Sequence, residues 1–483
     1  MTEKLINVDY FKRGISLNIL QVSSSLALGL ATSIIYFSIL SGKDFVIYTL
    51  IQLTVFFFVN FSSLELNQYI RKYIPVMDKE KSLLFLAKIL VTVIKFFITG
   101  LGIYYFILQY SNIYSNFEED KNIIYVSILL LSITQIFASF ISTYISAQEK
   151  FDLIEKRYFY FLTPYKVIAI AFFYFFSSNL ITAIILNFFL RILQLILILK
   201  FLEIRKLFKY ILYKKPTIKE FNLKKNIKFT IQNFLYMNYP LLFLSLIPTY
   251  LSKNYSYDDV AVFTLVLTLF NSIKPVLHAI STLINPTIVN LKNIDQTNQL
   301  NLIIRTTVNI IVTLHVSGIF IVWLHLNYSG FTEFFLKYFS YNLFSDFINS
   351  ILVISLFSVL TMIQQSYFLA SSDETKFFVT SVLSTFFSIG YILIFVHREL
   401  NLNFVLGTLV VFYCVKYFLS LYLAYDDIKF SLIPPLGVIF LFPFSLITFK
   451  FDNISIYLIS LLSILLITIY LIYKFYYQLK TGK

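Results

Sequence analysis

The sequence predicts an all-α, polytopic membrane protein with about fourteen transmembrane helices. Its residues are 58% hydrophobic and only 13% charged, whereas a soluble domain has roughly 25% charged residues. Apolar runs of about 20 residues recur along the chain, which is the length that crosses a bilayer as a helix. Basic residues, in addition, are concentrated in alternate connections between these runs. A water-soluble fold is therefore excluded.

The candidate spans are apolar runs bounded by charged or turn-forming residues. Ser177-Ser178-Asn179 divides one long run into two spans, and the first member of the final pair contains Pro434, Pro435 and Pro443. The predicted spans are 16–40, 46–67, 83–108, 122–146, 158–178, 180–202, 229–252, 259–290, 303–327, 349–370, 376–396, 403–424, 432–449 and 454–475.

The distribution of basic residues predicts the orientation, because positively charged connections stay on the cytoplasmic side. With the N-terminus inside, most of the 39 Lys and Arg residues fall in inner connections or at the inner ends of spans. The outer loops contain Lys43, Lys121, Lys253, Lys337, Arg398 and Lys450. An even number of spans then places both termini in the cytoplasm.

A long basic connection divides the chain into predicted domains. Residues 1–202 form an N-terminal lobe of six spans, 203–228 a cytoplasmic linker, 229–426 a C-terminal lobe of six spans, and 427–483 an extra helix pair. Similar loops follow Ala147 and Ala370, as expected for two parallel repeats. Apolar residues at helical spacing in the long connection after span six (Phe201, Ile204, Leu207, Phe208, Ile211 and Leu212) indicate a basic amphipathic helix on the inner leaflet. The alternative is a solvated linker that only follows the positive-inside rule.

The motifs of soluble enzymes are missing from the sequence. It contains no nucleotide-binding loop, no catalytic serine or zinc motif, and one cysteine, Cys414. We interpret the acidic cluster Glu118-Glu119-Asp120 as a solvated loop rather than a metal site. We therefore predict no catalytic residue, metal, cofactor or nucleic-acid partner, and the protein is not expected to be an enzyme.

Basic side chains inside the predicted spans are the candidate substrate-binding residues. A charged side chain at the centre of a bilayer costs about 3 kcal/mol unless it faces water or a partner. Glu65 is the only carboxylate clearly within a span, so the cations outnumber their possible partners. Such a surplus would line a cavity that attracts anions, although long side chains could instead reach an interface. The cations are Lys95, Lys166, Arg191, Lys274 and Lys416.

Two histidines and two prolines add to this pattern. His278 follows Lys274 by one turn on the same helix face, and His315 occupies nearly the repeat position of Lys95. Packing is the more common role for such histidines, so they rank below the cations; Glu65 and His315 are candidates for ion coupling. Pro275 follows Lys274 directly, and Pro286 closes the same span. Irregular backbone at membrane depth is tolerated next to protein or a water-filled cavity, which favours an inward-facing Lys274.

Several short segments form a further pattern: Lys12-Arg13-Gly14 with Asn18 before span one, Asp44-Phe45-Val46-Ile47-Tyr48 entering span two, Tyr69-Ile70-Arg71-Lys72-Tyr73-Ile74-Pro75 leaving it, Asn285-Pro286, and the loops after Ala147 and Ala370. In these segments the chain resembles the Wzx-type polysaccharide flippases, whose superfamily includes the MATE drug exporters and the lipid II flippases. One departure is Ser63-Leu64-Glu65-Leu66, where the family usually has a glycine.

The resemblance implies two six-helix lobes in a V around a cationic cavity, with Arg13, Lys95, Arg191 and Lys274 near that cavity; Asn18 is a further candidate substrate-binding residue. It implies translocation of undecaprenyl-diphosphate-linked oligosaccharides across a bacterial inner membrane by alternating access, for O-antigen or capsule assembly. The expected partners are that lipid-linked oligosaccharide, membrane lipids and other polysaccharide-assembly proteins. The alternatives are a small-molecule or multidrug exporter of the same fold and, less favoured, a membrane polymerase or ligase.

Overall fold

The computed structural model describes residues 31–63, 77–110, 112–148, 156–176, 179–213, 374–396 and 402–423, most of 248–268, and scattered residues between these ranges. The chain divides into two compact units, Met1–Thr268 and Leu269–Lys483. Within the described ranges every regular element is helical. Arg13, Asn18, Glu65, Lys274, His278 and His315 lie outside the described residues, and their predicted roles stay predictions.

The described helices of the first unit are numbered in chain order. They are α1 (31–39), α2 (Gly42–Ser63), α3 (Lys79–Tyr110), α4 (Lys121–Ala147), α5 (Thr163–Phe176), α6 (Leu180–Leu199), α7 (Ile204–Tyr213) and α8 (257–265). A short 3₁₀ helix, Asn112–Phe117, follows α3, and a π-turn, Tyr158–Leu162, leads into α5. The second unit contains α9 (Glu374–Tyr391), which continues as a π-turn over Ile392–Val396, and α10 (Leu402–Leu423).

Six helices among the described residues are long and apolar enough to cross a membrane: Gly42–Ser63, Lys79–Tyr110, Lys121–Ile145, Tyr158–Phe176, Leu180–Leu199 and Leu406–Leu423. They correspond to predicted spans two to six and span twelve. The predicted division between spans five and six is confirmed, since α5 ends at Phe176 and α6 begins at Leu180. Asn179 caps α6, and its side chain accepts a hydrogen bond of 2.9 Å from the Thr182 backbone N–H. The total of fourteen spans includes segments outside the described residues.

Polar side chains in these apolar helices are satisfied largely by their own helix. The Thr49 hydroxyl donates to the Phe45 carbonyl at 3.0 Å, and the Thr134 hydroxyl donates to the Leu130 carbonyl at 3.1 Å. A hydroxyl group that bonds one turn back leaves no unmet donor in a hydrocarbon environment. Serine and threonine therefore do not interrupt the spans.

Helix α4 lies at the centre of the first unit, where it packs against α2, α3 and α6. Close approach of α2 and α3 depends on Gly100, because a Cβ atom there would lie 2.7 Å from the Phe61 ring and 3.3 Å from the Phe58 ring. Small residues at helix crossings serve this purpose in membranes, where van der Waals packing drives association. Gly102, two residues further, has open space around it.

Residues near 250 pack against the ends of α2 and α3 in the same unit. Lys43 Nζ and Asp120 Oδ2 form an ion pair of 2.9 Å. The Asn116 side-chain amide donates to the Ser252 carbonyl at 2.7 Å, and the Tyr257 hydroxyl donates to the Asn116 carbonyl at 3.1 Å. The predicted solvated acidic loop is thus only partly solvated, since Asp120 is 19% exposed and holds Lys43.

In the second unit α9 and α10 pack along each other. Gly407 faces the Tyr391 side chain at a distance that leaves no room for a Cβ atom. The Ser388 hydroxyl, in addition, donates across the pair to the Thr408 carbonyl at 2.9 Å. This pair contains Lys416, one of the predicted intramembrane cations.

Candidate functional site

The candidate site is built on one face of α6. Leu180, Ala183 and Ile198 of this helix are buried. Asn187, Arg191 and Gln194 follow the same spacing of three and four residues, so they share that face. The polar stripe therefore lies on the side of α6 that packs against the rest of the first unit. Arg191 lies near the middle of the helix, about 16 Å from its first residue at 1.5 Å per residue.

Helix α2 meets this stripe through Tyr48. The Asn187 side-chain amide donates to the Tyr48 hydroxyl at 3.3 Å, and Tyr48 is close enough to Arg191 to interact with it electrostatically. The Tyr48 ring makes an edge contact with Tyr36 of α1 at 5.0 Å between centroids, and Tyr36 lies 4.3 Å from Phe173 of α5. Aromatic rings from three helices thus form a continuous cluster that reaches the polar stripe of α6 at Tyr48.

Gln52 adds a further donor one turn along α2 from Tyr48. Helices α2 and α6 are the second and sixth spans, so they cross the membrane in the same direction. Gln52 follows Tyr48 by four residues, and Arg191 follows Asn187 by four residues. Because Tyr48 contacts Asn187, we expect Gln52 and Arg191 to lie at a similar depth. The Nε2 atom of Gln52 is buried and has no hydrogen-bond partner among the described residues. A buried amide donor is usually hydrogen-bonded in native structures, so the acceptor for Gln52 is to be sought outside the described residues.

Helix α5 brings a second cation to the site. Lys166 lies near the middle of the Tyr158–Phe176 span, is partly exposed, and interacts electrostatically with Arg191. The recorded ion pairs of the described residues involve Lys43, Lys79, Lys81, Lys121 and Lys206, and neither Lys166 nor Arg191 pairs with a described carboxylate. Two like charges at mid-membrane depth repel each other, and an anion placed between them would relieve that repulsion.

The other described cations lie elsewhere. Lys95 is on an exposed face of α3 together with Ile98 and Thr99, away from the face that packs against α2. Lys416 belongs to the second unit, is 5% exposed, and has its Nζ 5.4 Å from the centroid of the Phe412 ring. The structure therefore brings together Lys166 and Arg191 of the predicted set, and the roles of Lys95 and Lys416 in binding stay predictions.

A shallow surface cavity near the site is not lined by the described intramembrane cations. It has a volume of about 520 Å³, lies at the turn between α5 and α6, and is lined mainly by aromatic residues with Asn179 and Thr182. None of the four described intramembrane cations borders it. Within the described ranges, moreover, no group of three His, Cys, Asp or Glu side chains could hold a metal ion.

Sequence reasoning found the two cations but missed their neutral neighbours. Lys166 and Arg191 are conspicuous as charges within apolar runs. Tyr48 and Gln52 are not, because tyrosine occurs 36 times in this chain and amides occur in many of its spans. One signal was available: Asn187 and Arg191 are separated by four residues, which places both on one helix face.

Comparison with solved structures identifies the class of fold. The chain resembles the MATE multidrug transporter DinF-BH, solved in complex with a ligand, with a TM-score of 0.61, 13% identity, and coverage of 87% of this chain and 97% of that one. It also resembles a multidrug resistance MATE transporter of the MOP superfamily in an outward-facing conformation, with a TM-score of 0.56, 13% identity, and coverage of 89% and 96%.

A third solved structure is a MOP superfamily transporter from Pyrococcus furiosus, with a TM-score of 0.53, 13% identity, and coverage of 89% and 96%. Comparison of the sequence with models of protein families finds no match. Comparison with curated proteins also finds none. At these identities the likeness establishes the fold: the chain is a multi-pass, helical membrane protein with the architecture of the MATE and MOP superfamily transporters.

Proposed function

We propose that this protein is a flippase that moves undecaprenyl-diphosphate-linked oligosaccharide units across a bacterial inner membrane by alternating access. One observation carries the proposal: Lys166 and Arg191 interact at mid-membrane depth without a described carboxylate partner. A diphosphate has the charge and the acceptor oxygens that such a pair requires. The lipid tail stays in the bilayer while the head group crosses through the protein.

The neutral side chains suit the same ligand. We assign the Gln52 amide, whose Nε2 atom has no partner among the described residues, as a donor to a phosphate or sugar oxygen. The hydrogen bond from Asn187 holds the Tyr48 hydroxyl against the face of α6 that carries Arg191. Arginine recognises phosphate through paired N–H groups in one plane.

A multidrug exporter of the same fold is the second candidate, because two of the similar structures are described as multidrug transporters. The Pyrococcus furiosus transporter is described as having a binding pocket of reverse polarity that suggests a different function, so pocket charge varies within this fold. Cationic drugs favour carboxylates in the binding site, and Lys166 with Arg191 supplies the opposite charge. The charge of the site therefore favours an anionic substrate.

Transport in proteoliposomes distinguishes the two candidates. The full chain would be reconstituted with a fluorescent undecaprenyl-diphosphate sugar, and translocation would be followed by the fraction of label that an impermeant quencher reaches. We expect the protein to accelerate translocation, and we expect Arg191→Gln to lower the initial rate at least tenfold because a charged phosphate contact is worth more than 1.4 kcal/mol. Lys253→Gln, which changes an exposed lysine outside the spans, serves as the control.

A cationic fluorescent drug would be tested in the same vesicles. Export of the drug together with no acceleration of the anionic lipid would refute the flippase proposal in favour of the exporter. Equal rates of lipid translocation for the wild-type protein and Arg191→Gln would refute the role of the cation pair.

A further inference from the structure

Helix α7 is fastened to the beginning of α3 along one face. Leu207 and Tyr210 of α7 are buried, and the helix packs directly against α3. The Tyr210 hydroxyl donates to Glu80 Oε1 at 2.9 Å. The face that contacts the protein is therefore fixed by apolar packing and a hydrogen bond.

Glu203 adds a charged connection just before the helix. Its two carboxylate oxygens accept from Lys206 at 2.6 Å and from Lys79 at 2.5 Å. These hydrogen bonds lower the pKa of Glu203 to about 2. The carboxylate thus joins α7 to the first residue of α3, and it stays ionised throughout the physiological range of pH.

The exposed side chains that the structure describes on α7 are cationic. Lys206 and Lys209 are exposed on this helix, and Lys200 is exposed at the end of α6. Residues 214–228 continue with Lys214, Lys215, Lys219, Lys224, Lys225 and Lys228 against the single acidic residue Glu220. The positive charge of this region therefore exceeds what its own carboxylates can neutralise.

The location of α7 indicates which partner this charge would meet. Ile204 follows the last residue of the α6 span by five positions, and α7 packs against the first turn of the α3 span. The end of the α6 span and the beginning of the α3 span are on the same side of the membrane. Helix α7 therefore lies at the boundary where phospholipid headgroups are found. Positive inner connections face the leaflet that carries anionic lipids.

We propose that α7 is a lipid-binding helix whose lysine face contacts the acidic headgroups of phospholipids in the adjoining leaflet. This inference does not depend on the transported substrate. The side chains of Leu207 and Tyr210 hold the helix on α3, and the exposed lysines supply long-range attraction that salt weakens.

The test measures stabilisation of the full-length protein by lipid. Protein in an uncharged detergent would be titrated with dioleoylphosphatidylglycerol, and the unfolding temperature would be recorded at each concentration. Dioleoylphosphatidylcholine, with the same acyl chains and no net charge, and glycerol phosphate, with the acidic group and no chains, complete the series. We expect phosphatidylglycerol alone to raise the unfolding temperature strongly, because a ligand that binds the native state stabilises it.

The variant Lys200→Gln/Lys209→Gln removes two exposed charges and leaves the Glu203 contacts in place. We expect the half-maximal concentration of phosphatidylglycerol to rise roughly tenfold or more, given about 1 kcal/mol for each basic residue near an anionic surface. The control variant Lys156→Gln/Lys253→Gln removes two exposed lysines elsewhere and should change it little. Equal stabilisation by both phospholipids, an equal effect of glycerol phosphate, or equal weakening in the control would overturn the proposal.

Discussion

Lys166 and Arg191 destabilise the empty protein, because each places a positive charge within the membrane. A charge at the centre of a bilayer costs about 3 kcal/mol, which is a large fraction of the 5–15 kcal/mol that stabilises a typical domain. Their mutual repulsion adds to this cost when no anion is bound. Binding sites that are destabilised in the empty state are a known source of conflict between stability and activity.

We therefore expect Lys166→Met to stabilise the empty protein while it lowers transport. Methionine has a similar length and no desolvation cost, and it removes the repulsion from Arg191. The unfolding temperature in detergent should rise by several degrees, and the rate of lipid translocation should fall at least tenfold. Lys156→Met, at an exposed position before the π-turn, should change neither quantity. A fall in unfolding temperature for Lys166→Met would show that the lysine has a structural role.

The sequence predicts the charged residues of the site but not the neutral residues that surround them. A charge within an apolar run is a rare event that hydropathy alone detects, which is why Lys166 and Arg191 were found. The hydrogen bond between Asn187 and Tyr48 joins residues 139 positions apart. No local pattern predicts which of many tyrosines a distant amide will meet.

At the scale of helices, the close crossing of α2 and α3 depends on Gly100, which has no side chain. We expect Gly100→Ala to destabilise the protein by about 1–3 kcal/mol, because the added methyl group meets the rings of Phe61 and Phe58 and the helices must separate. Gly102→Ala makes the same chemical change on the same helix, but nothing lies within 4 Å of the added atom. Thermal unfolding of both variants in one detergent is the measurement, and equal unfolding temperatures would contradict the packing account.

The attachment of α7 to α3 has a defined dependence on pH. Because the pKa of Glu203 is lowered from 4.5 to about 2, its contribution is complete above about pH 4.5 and is lost as the pH falls towards 2. We expect hydrogen exchange in α7, corrected for intrinsic rates, to show constant protection from pH 8 to pH 5 and reduced protection at pH 3. Glu203→Gln should lose protection at every pH, whereas Glu119→Gln, at an exposed loop position, should not. Equally low protection of α7 in Glu203→Gln and in Glu119→Gln at every pH would contradict the claim that Glu203 attaches α7 to α3.

The lengths of the helices show what hydropathy can and cannot predict. The bounds of spans four to six agree with the structure within three residues, because the apolar runs there end at charged or capping residues. Helix α3 extends over 32 residues, from Lys79 to Tyr110, although the predicted span was 83–108. The extra turn at its beginning is polar: the Lys81 backbone N–H donates to Asp78 Oδ1 at 2.8 Å, Glu80 accepts from Tyr210 of α7, and Lys79 pairs with Glu203. Such tertiary contacts leave no trace in hydropathy.

At the scale of the whole molecule, the segment near residue 250 is bound to the ends of α2 and α3. Cys414 is the only cysteine, so Cys414→Ser gives a background without cysteine. In that background Asn116→Cys and Ser252→Cys can be cross-linked selectively. The two positions are joined by a hydrogen bond of 2.7 Å. We expect oxidation to link them efficiently and to stop lipid translocation until a reductant is added, since alternating access requires one end of the transporter to open.

A control pair defines what this cross-link measures. Asn116→Cys with Lys81→Cys places the two cysteines at opposite ends of α3, roughly 40 Å apart at 1.5 Å per residue, and should not link under the same oxidation. Full transport with the Asn116–Ser252 bond intact would contradict the proposal that these contacts open during the cycle.

The class of fold could be predicted from the sequence, and the substrate could not be derived from the fold. Composition and the repeat of apolar runs require a helical membrane protein, because every backbone group in hydrocarbon must bond within its own helix. The same architecture is found in transporters described as multidrug transporters and in one whose binding pocket is described as suggesting a different function. The function therefore has to be argued from side chains, and the proposal made for Lys166 and Arg191 is an argument of that kind.

The most direct test of the central claim is the affinity of the purified full chain for an undecaprenyl-diphosphate sugar. We expect Lys166→Gln/Arg191→Gln to raise the Kd at least tenfold and to reduce its dependence on salt, because both charge-assisted contacts are lost. The charge-matched control Lys156→Gln/Lys253→Gln should bind like the wild-type protein. An unchanged Kd in Lys166→Gln/Arg191→Gln would contradict the claim that the two intramembrane cations bind the anionic head group.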